Sequence, residues 1–283
     1  MPYLKAADGT DLFYTDWPGG RPVVFVHAWA LNSCMWDYQI PDLTAAGFRC
    51  ITFDRRGHGR SDRPGVGYDL DTLADDLASV LETLDLSNVT LVAHSLGTCE
   101  AVRYLCRHGD GRIERLVLSG TLMPYLRKTD DNQEGVDPAI LDQGLALLKR
   151  DVGAFMDAYP GDYYDVEKSV SDELVAWTRR QISETPLPVL LATNGPFDMR
   201  GDLPGVNVPV LILHGTDDIS APIDFTARRV AKLIRNSRLA VFQGAGHGVY
   251  TSRASQYNAK LIAFAHADAG SWTGIAEETV VER

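Results

Sequence analysis

Strand-like and helix-like patterns alternate along this chain, and that alternation restricts its fold more than any other feature. The runs "PVVFVHA" (22–28), "RCITFD" (49–54), "VTLVA" (89–93), "RLVLSG" (115–120), "PVLILHG" (209–215) and "RLAVFQG" (238–244) are short and β-rich. Several are nearly solid in apolar residues, as parallel strands covered on both faces must be. Amphipathic stretches at 72–84, 96–108, 224–234 and 252–265 separate or follow them. Such alternation predicts an α/β fold around a mostly parallel, doubly wound sheet. "LFYTDW" adds an antiparallel edge strand ahead of the first parallel one.

The alternation stops once. From Thr121 to Val206 the chain holds only helix-like segments such as "PAILDQGLALLKR" and "SDELVAWTRRQIS". The expected organisation is a core of residues 1–120 and 207–266, interrupted by a helical cap at 121–206. Such a cap stands over the carboxyl ends of the strands, where open α/β sheets bind ligands. Residues 267–283 lack an amphipathic period and are expected as a loose tail.

A formal net charge of −11, spread along the chain, argues against nucleic acid or an anionic membrane surface as partner. "MPYLKAADGT" has neither the basic start nor the apolar stretch of a secretory signal. No apolar run approaches the ~20 residues of a membrane helix. Four cysteines are too sparse for a disulfide framework and lack metal-ligand spacing. These features together predict a cytoplasmic protein, one compatible with a homo-oligomer.

"VTLVAHSLGTCEAVRYL" (89–105) places Ser95 where a buried strand turns sharply into a helix. "AHSLG" is a near match to G-x-S-x-G. Alone that pattern is weak, but its position between an apolar strand and a helix is the setting nucleophile chemistry requires. A serine hydroxyl needs a base within hydrogen-bond reach. Of seven histidines, His247 lies in the Gly-rich "FQGAGHGVY" loop after the last parallel run. His94 adjoins the corner but points elsewhere, His214 packs a turn, and His27 bonds within its own loop. No two histidines share a helix at ligand spacing, so no metal site is expected. The base needs an orienting acid. "HGTDDISAP" offers Asp217 and Asp218, and Asp218 is preferred for its place at the loop's crest. The order Ser, Asp, His is the one this strand–turn–helix setting uses. Backbone N–H groups of Leu96, next to the serine, and of Trp29, in the loop after "PVVFVHA", are the candidate donors to an oxyanion.

These residues carry a resemblance. "FDRRGHGRSDRP", "LVAHSLGT", "HGTDDISAP" and "GAGHGVY", in this order, resemble the α/β-hydrolase superfamily, and within it the non-haem chloroperoxidase / arylesterase group. The resemblance spans nearly all of 7–265 and is weakest in the cap. It implies nucleophile Ser95, acid Asp218, base His247, oxyanion donors Trp29 and Leu96, and no cofactor. It reads "FDRRGHGRSD" as architectural. His27-Ala28-Trp29 stands where the group has H-G-W, and Thr98 where it has a second glycine. Ala30 stands where many members have a proline associated with peroxide-dependent perhydrolysis.

The expected activity is hydrolysis of a small carboxylic ester or lactone through an acyl-enzyme. Cap aromatics Tyr125, Phe155, Tyr159 and Trp177, with Trp29, are candidate substrate contacts. The same triad also serves perhydrolases, carbon–carbon bond hydrolases and triad-bearing receptors with little turnover.

Overall fold

Alternate residues of the central strands face opposite layers of the core. Val210 and Ile212 pack with one layer; Leu211 and Leu213 pack with the other. Two-sided burial is why these strands read as unbroken apolar runs. The computed structural model describes residues 2–158, 163–164, 170–267, 272 and 277–282.

Among these residues nine strands form one sheet: β1 (Tyr3–Lys5), β2 (Asp11–Trp17), β3 (Pro22–Val26), β4 (Arg49–Phe53), β5 (Val89–His94), β6 (Ile113–Ser119), β7 (Val210–Gly215), β8 (Ser237–Phe242) and β9 (Glu277–Val281). Their order is β1-β2-β4-β3-β5-β6-β7-β8-β9. The β1–β2 and β2–β4 pairings are antiparallel, and the rest are parallel.

Helices α1 (Ile40–Ala45), α2 (Leu70–Thr83) and α3 (Leu96–His108) belong to the first half of the core. Helices α4 (Pro138–Arg150), α5 (Val152–Ala158), α6 (Asp172–Glu184) and α7 (Leu187–Ala192) lie in the insertion. Helices α8 (Ala227–Leu233), α9 (Val249–Ser252) and α10 (Ala254–His266) return to the core. Apolar residues of α2, α3 and α8 cover one face of the sheet; those of α1 and α10 cover the other. Asp69, Asp137 and Ser171 cap α2, α4 and α6 by accepting from backbone N–H groups, which satisfies donors the helix leaves open. Among the described residues no helix is long and apolar enough to cross a membrane.

Two expectations need correction. The antiparallel strand β2 is not the sheet edge, because the three-residue β1 pairs along its outer side. The supposed loose tail contributes β9, in parallel register with β8. Tertiary contacts hold it there: the Trp272 ring lies 4.6 Å from that of Phe264, and Arg228 pairs with Glu278 at 2.9 Å. A five-residue strand on a sheet edge has little periodicity to announce it.

Candidate active site

Ser95 sits at the carboxyl end of β5 with φ 54° and ψ −121°. A side chain in that left-handed region costs about 1–3 kcal/mol. Several hydrogen bonds hold it there. Its N–H donates to the Ser119 carbonyl at 2.9 Å. Its carbonyl accepts from the Thr98 amide at 2.9 Å and the Thr98 hydroxyl at 2.6 Å. Thr98 therefore does more than fill a glycine's place. Gly97 is needed as glycine: a Cβ there would lie 2.7 Å from the Val26 carbonyl oxygen and 2.9 Å from that of His27. Only a bare backbone lets α3 start this close to β3.

His247 follows β8, and its Nδ1 lies 2.7 Å from Asp218 Oδ2. Asp218 follows β7, and its Oδ1 accepts from the Ala221 amide at 2.7 Å. The neighbouring Asp217 accepts instead from the Thr216 hydroxyl at 2.7 Å. Burial pushes the Asp218 carboxyl up, but His247, His214 and the Ala221 N–H outweigh it and hold the group below the usual carboxylate range. His214 Nε2 is 3.3 Å from Asp218 Oδ2 and 2.7 Å from the Ala221 carbonyl, so it braces the acid's turn. The His94 ring packs 4.7 Å from that of His247, with Nδ1 3.0 Å from Ser119 Oγ. Burial drives the His94 imidazole well below its ordinary range.

The cap grips the His247 loop on both sides. The Gly246 amide donates to the Tyr164 carbonyl at 2.9 Å and the Gly248 amide to the Tyr163 carbonyl at 2.5 Å. The Tyr163 ring stands 5.5 Å from the imidazole, edge to face. The cap also holds the loop after β3. Trp29 Nε1 donates to the Leu190 carbonyl at 3.1 Å, and the Thr185 hydroxyl donates to the Ala30 carbonyl at 3.1 Å. Ala30 has φ 63°, a value closed to proline, whose ring fixes φ near about −65°.

Ser95 and His247 line one cavity of about 320 Å³. Ala28, Trp29 and Leu96 line it from the core side, and Phe155, Ile182 and Phe197 from the insertion. Arg55 and Glu100 form a buried ion pair at 2.7 Å. Among the described residues no cluster of three or more His, Cys, Asp or Glu side chains is placed to hold a metal ion.

Residues 21–154 match the family model described as "alpha/beta hydrolase fold". A non-heme haloperoxidase from Rhodococcus erythropolis is 37% identical over 271 residues, covering 93% of this chain and 99% of the relative. The chain belongs to the alpha/beta hydrolase family. This alpha/beta hydrolase is also 34% identical to a bifunctional esterase/perhydrolase from Acinetobacter calcoaceticus, over 93% of this chain and 99% of the relative. It superposes on the crystal structure of a bromoperoxidase from Bacillus anthracis with a TM-score of 0.89 and 34% identity, covering 93% of this chain and 98% of that one.

Within the hydrolase, Trp29 and Phe155 line the cavity, and their rings meet edge to face at 5.8 Å. Two other expected contacts do not line it. The Tyr125 ring lies beneath the Arg200 guanidinium, 5.2 Å away, drawn into the charged Arg200–Asp198–Asp131 group. Trp177 lines a shallow depression with Tyr38 and Leu174. The cavity takes Val175, Thr178, Arg179 and Ile182 of α6 instead. Those positions share one helical stripe, and Trp177 lies outside it. Tyr159 lies outside the described residues. The carbonyl clamps of Tyr163 and Tyr164 and the bracing role of His214 were not foreseen.

Proposed function

We propose that this hydrolase cleaves a carboxylic ester or lactone through an acyl-enzyme formed on Ser95. One observation carries the reading: Ser95 and His247 share a cavity, and Asp218 is buried behind His247 at 2.7 Å. In this reading Ser95 Oγ attacks the carbonyl carbon while His247 Nε2 takes the hydroxyl proton. Asp218 keeps the remaining proton on Nδ1 and steadies the imidazolium. The developing oxyanion is met by the N–H groups of Leu96 and Trp29. Leu96 opens α3, and the first amides of a helix have no internal acceptor. The carbonyl–oxygen bond then breaks, and the leaving alcohol takes the proton back from His247. Water repeats the sequence in reverse and releases the acid.

The cavity lining favours an apolar acyl or aryl group. The arginines at its rim are already paired: Arg127 with Asp142 at 2.8 Å, and Arg179 with Asp157 at 3.2 Å. A neutral aryl or medium-chain ester fits such a site better than a dicarboxylate.

Peroxide-dependent turnover of the same acyl-enzyme is the second reading, favoured by the names of the relatives. The left-handed Ala30 weighs against it, since the loop cannot accept the proline that the resemblance associates with that activity.

Ser95→Ala is expected to abolish labelling by a fluorophosphonate probe and to lower turnover of p-nitrophenyl esters by at least ~10⁴-fold, with an unchanged circular-dichroism spectrum. Persistent labelling would overturn the assignment. Halogenation with peroxide and acetate that exceeds ester hydrolysis would favour the second reading.

A further inference from the structure

Two backbone amides on different elements must meet one oxygen atom, and a single buried ion pair spans those elements. Glu100 lies on α3, the helix whose first amide is Leu96. Its Oε2 accepts from Arg55 Nε at 2.7 Å, and neither side chain has solvent exposure. The other end of the same guanidinium reaches the loop that carries Trp29. Nη2 donates to the His27 carbonyl at 2.7 Å, and Nη1 donates to the Ala28 carbonyl at 3.3 Å. The Arg55 backbone amide donates to His27 Nε2 at 2.9 Å. That leaves the His27 proton on Nδ1, which meets the Ala28 carbonyl at 2.8 Å.

The direction of the Ala28 carbonyl fixes the direction of the Trp29 amide. The peptide between them is trans, so its C=O and N–H point opposite ways. With the carbonyl drawn towards Arg55 and His27, the N–H is turned the opposite way, and Trp29 lines the cavity that Ser95 and His247 share. We infer that Arg55, anchored by Glu100, is a positioning residue for acyl transfer, setting the Trp29 amide relative to the Leu96 amide. The inference rests on the reading of the site as an acyl-transfer centre. A buried ion pair contributes little net stability compared with well-packed apolar groups, so orientation is the better account of an Arg–Glu pair here. Lysine cannot replace the fork: one ammonium lacks the planar array that reaches a carboxylate and two carbonyls together.

Displacement of an oxyanion donor by an ångström costs up to about 100-fold in rate. Arg55→Lys is therefore expected to lower kcat for a p-nitrophenyl ester by about 10–100-fold, with KM changed less than about 3-fold and active sites counted by fluorophosphonate titration. A merely structural role would not discriminate between two inhibitors of the same alkyl chain. A trifluoromethyl ketone, which forms an oxyanion on Ser95, should bind about 10–100-fold more weakly. The methyl ketone, bound unreacted, should bind nearly as before. Glu100→Gln keeps an acceptor for Arg55 and should show the same selectivity at smaller amplitude; it carries the test if Arg55→Lys does not fold. Equal weakening of both ketones, or an unchanged kcat per titrated site, would overturn the inference. Ser95→Ala separates the two levels: full ester turnover in that variant overturns the underlying reading, whereas an inactive Ser95→Ala beside an unaffected Arg55→Lys overturns this inference alone.

Discussion

Gly120 has φ 50°, and a Cβ at this position would lie 2.6 Å from His94 Cε1 and 3.1 Å from His247 Cε1. It follows β6 directly against the His247 ring. Ala at position 120 must push both rings, and the His247 ring can yield only by loosening its 2.7 Å contact with Asp218. A side chain at positive φ adds roughly 1 kcal/mol of backbone strain. Gly120→Ala is therefore expected to lower kcat about 10–100-fold, because small misplacements of a catalytic group carry penalties of that size. Its melting temperature should fall by only a few degrees. Wild-type kcat in this variant would mean that the imidazole is not confined by β6. The same economy of space explains Ala28. The left-handed turn of this loop falls on Ala30 and not on Ala28, so the Cβ at 28 meets no conformational obstacle.

At the scale of elements, the cap is tied to the core through the loops that carry the chemistry. Trp29 and Ala30 share an apolar cluster with Leu148, Leu190 and Phe155. Phe155→Ala removes one wall of the cavity and the edge contact with Trp29. For p-nitrophenyl hexanoate, kcat/KM should fall about 10-fold, mostly through KM, in line with the 1–3 kcal/mol of a pocket apolar contact. The acetate ester, too short to reach that wall, should lose less than about 3-fold. Equal losses for both esters would place Phe155 away from the acyl group. Sequence reading succeeded where local pattern decides the outcome. α3 occupies 96–108 as its periodicity requires, and α4 coincides with "PAILDQGLALLKR". Ser95 and His247 were legible because small residues flank each at the end of an apolar run. It failed where a tertiary neighbour decides. Aromatic character marked Trp177 as a candidate substrate contact but could not say which stripe of α6 faces the cavity. Arg55 and Glu100 are 45 residues apart, and nothing local shows that they pair or that Arg55 reaches two carbonyls of a third segment.

For the whole molecule, burial of imidazoles sets the response to acid. His27, His58, His94 and His214 have no solvent exposure. Burial pushes His27 and His94 well below the ordinary histidine range, lowers His214, and takes His58 down to about 3. The folded chain keeps these rings neutral where the unfolded chain would protonate them. Their contribution to stability is therefore full above about pH 6.5 and declines as pH falls, by up to about 1.4 kcal/mol per unit for each ring. Glu100 acts in the opposite sense. Burial raises its carboxyl to about 7 against the pull of Arg55, so it takes a proton in the folded state first and offsets about one of the four histidines. Asp218, held low, loses its contribution only below about pH 3.8 and plays no part in this window. The buried rings outnumber Glu100, so stability falls as pH drops from 5.5 to 4.5. Urea denaturation at pH 7.5, 5.5 and 4.5 should show a midpoint that falls steeply across the last interval. A midpoint independent of pH would mean that the rings are charged inside the fold. Neutrality also matters to the chemistry. His94 packs against the His247 ring, and His214 lies 3.3 Å from Asp218 Oδ2. Because they stay uncharged, neither adds a competing positive charge beside the His247–Asp218 contact on which the proposed acyl transfer relies.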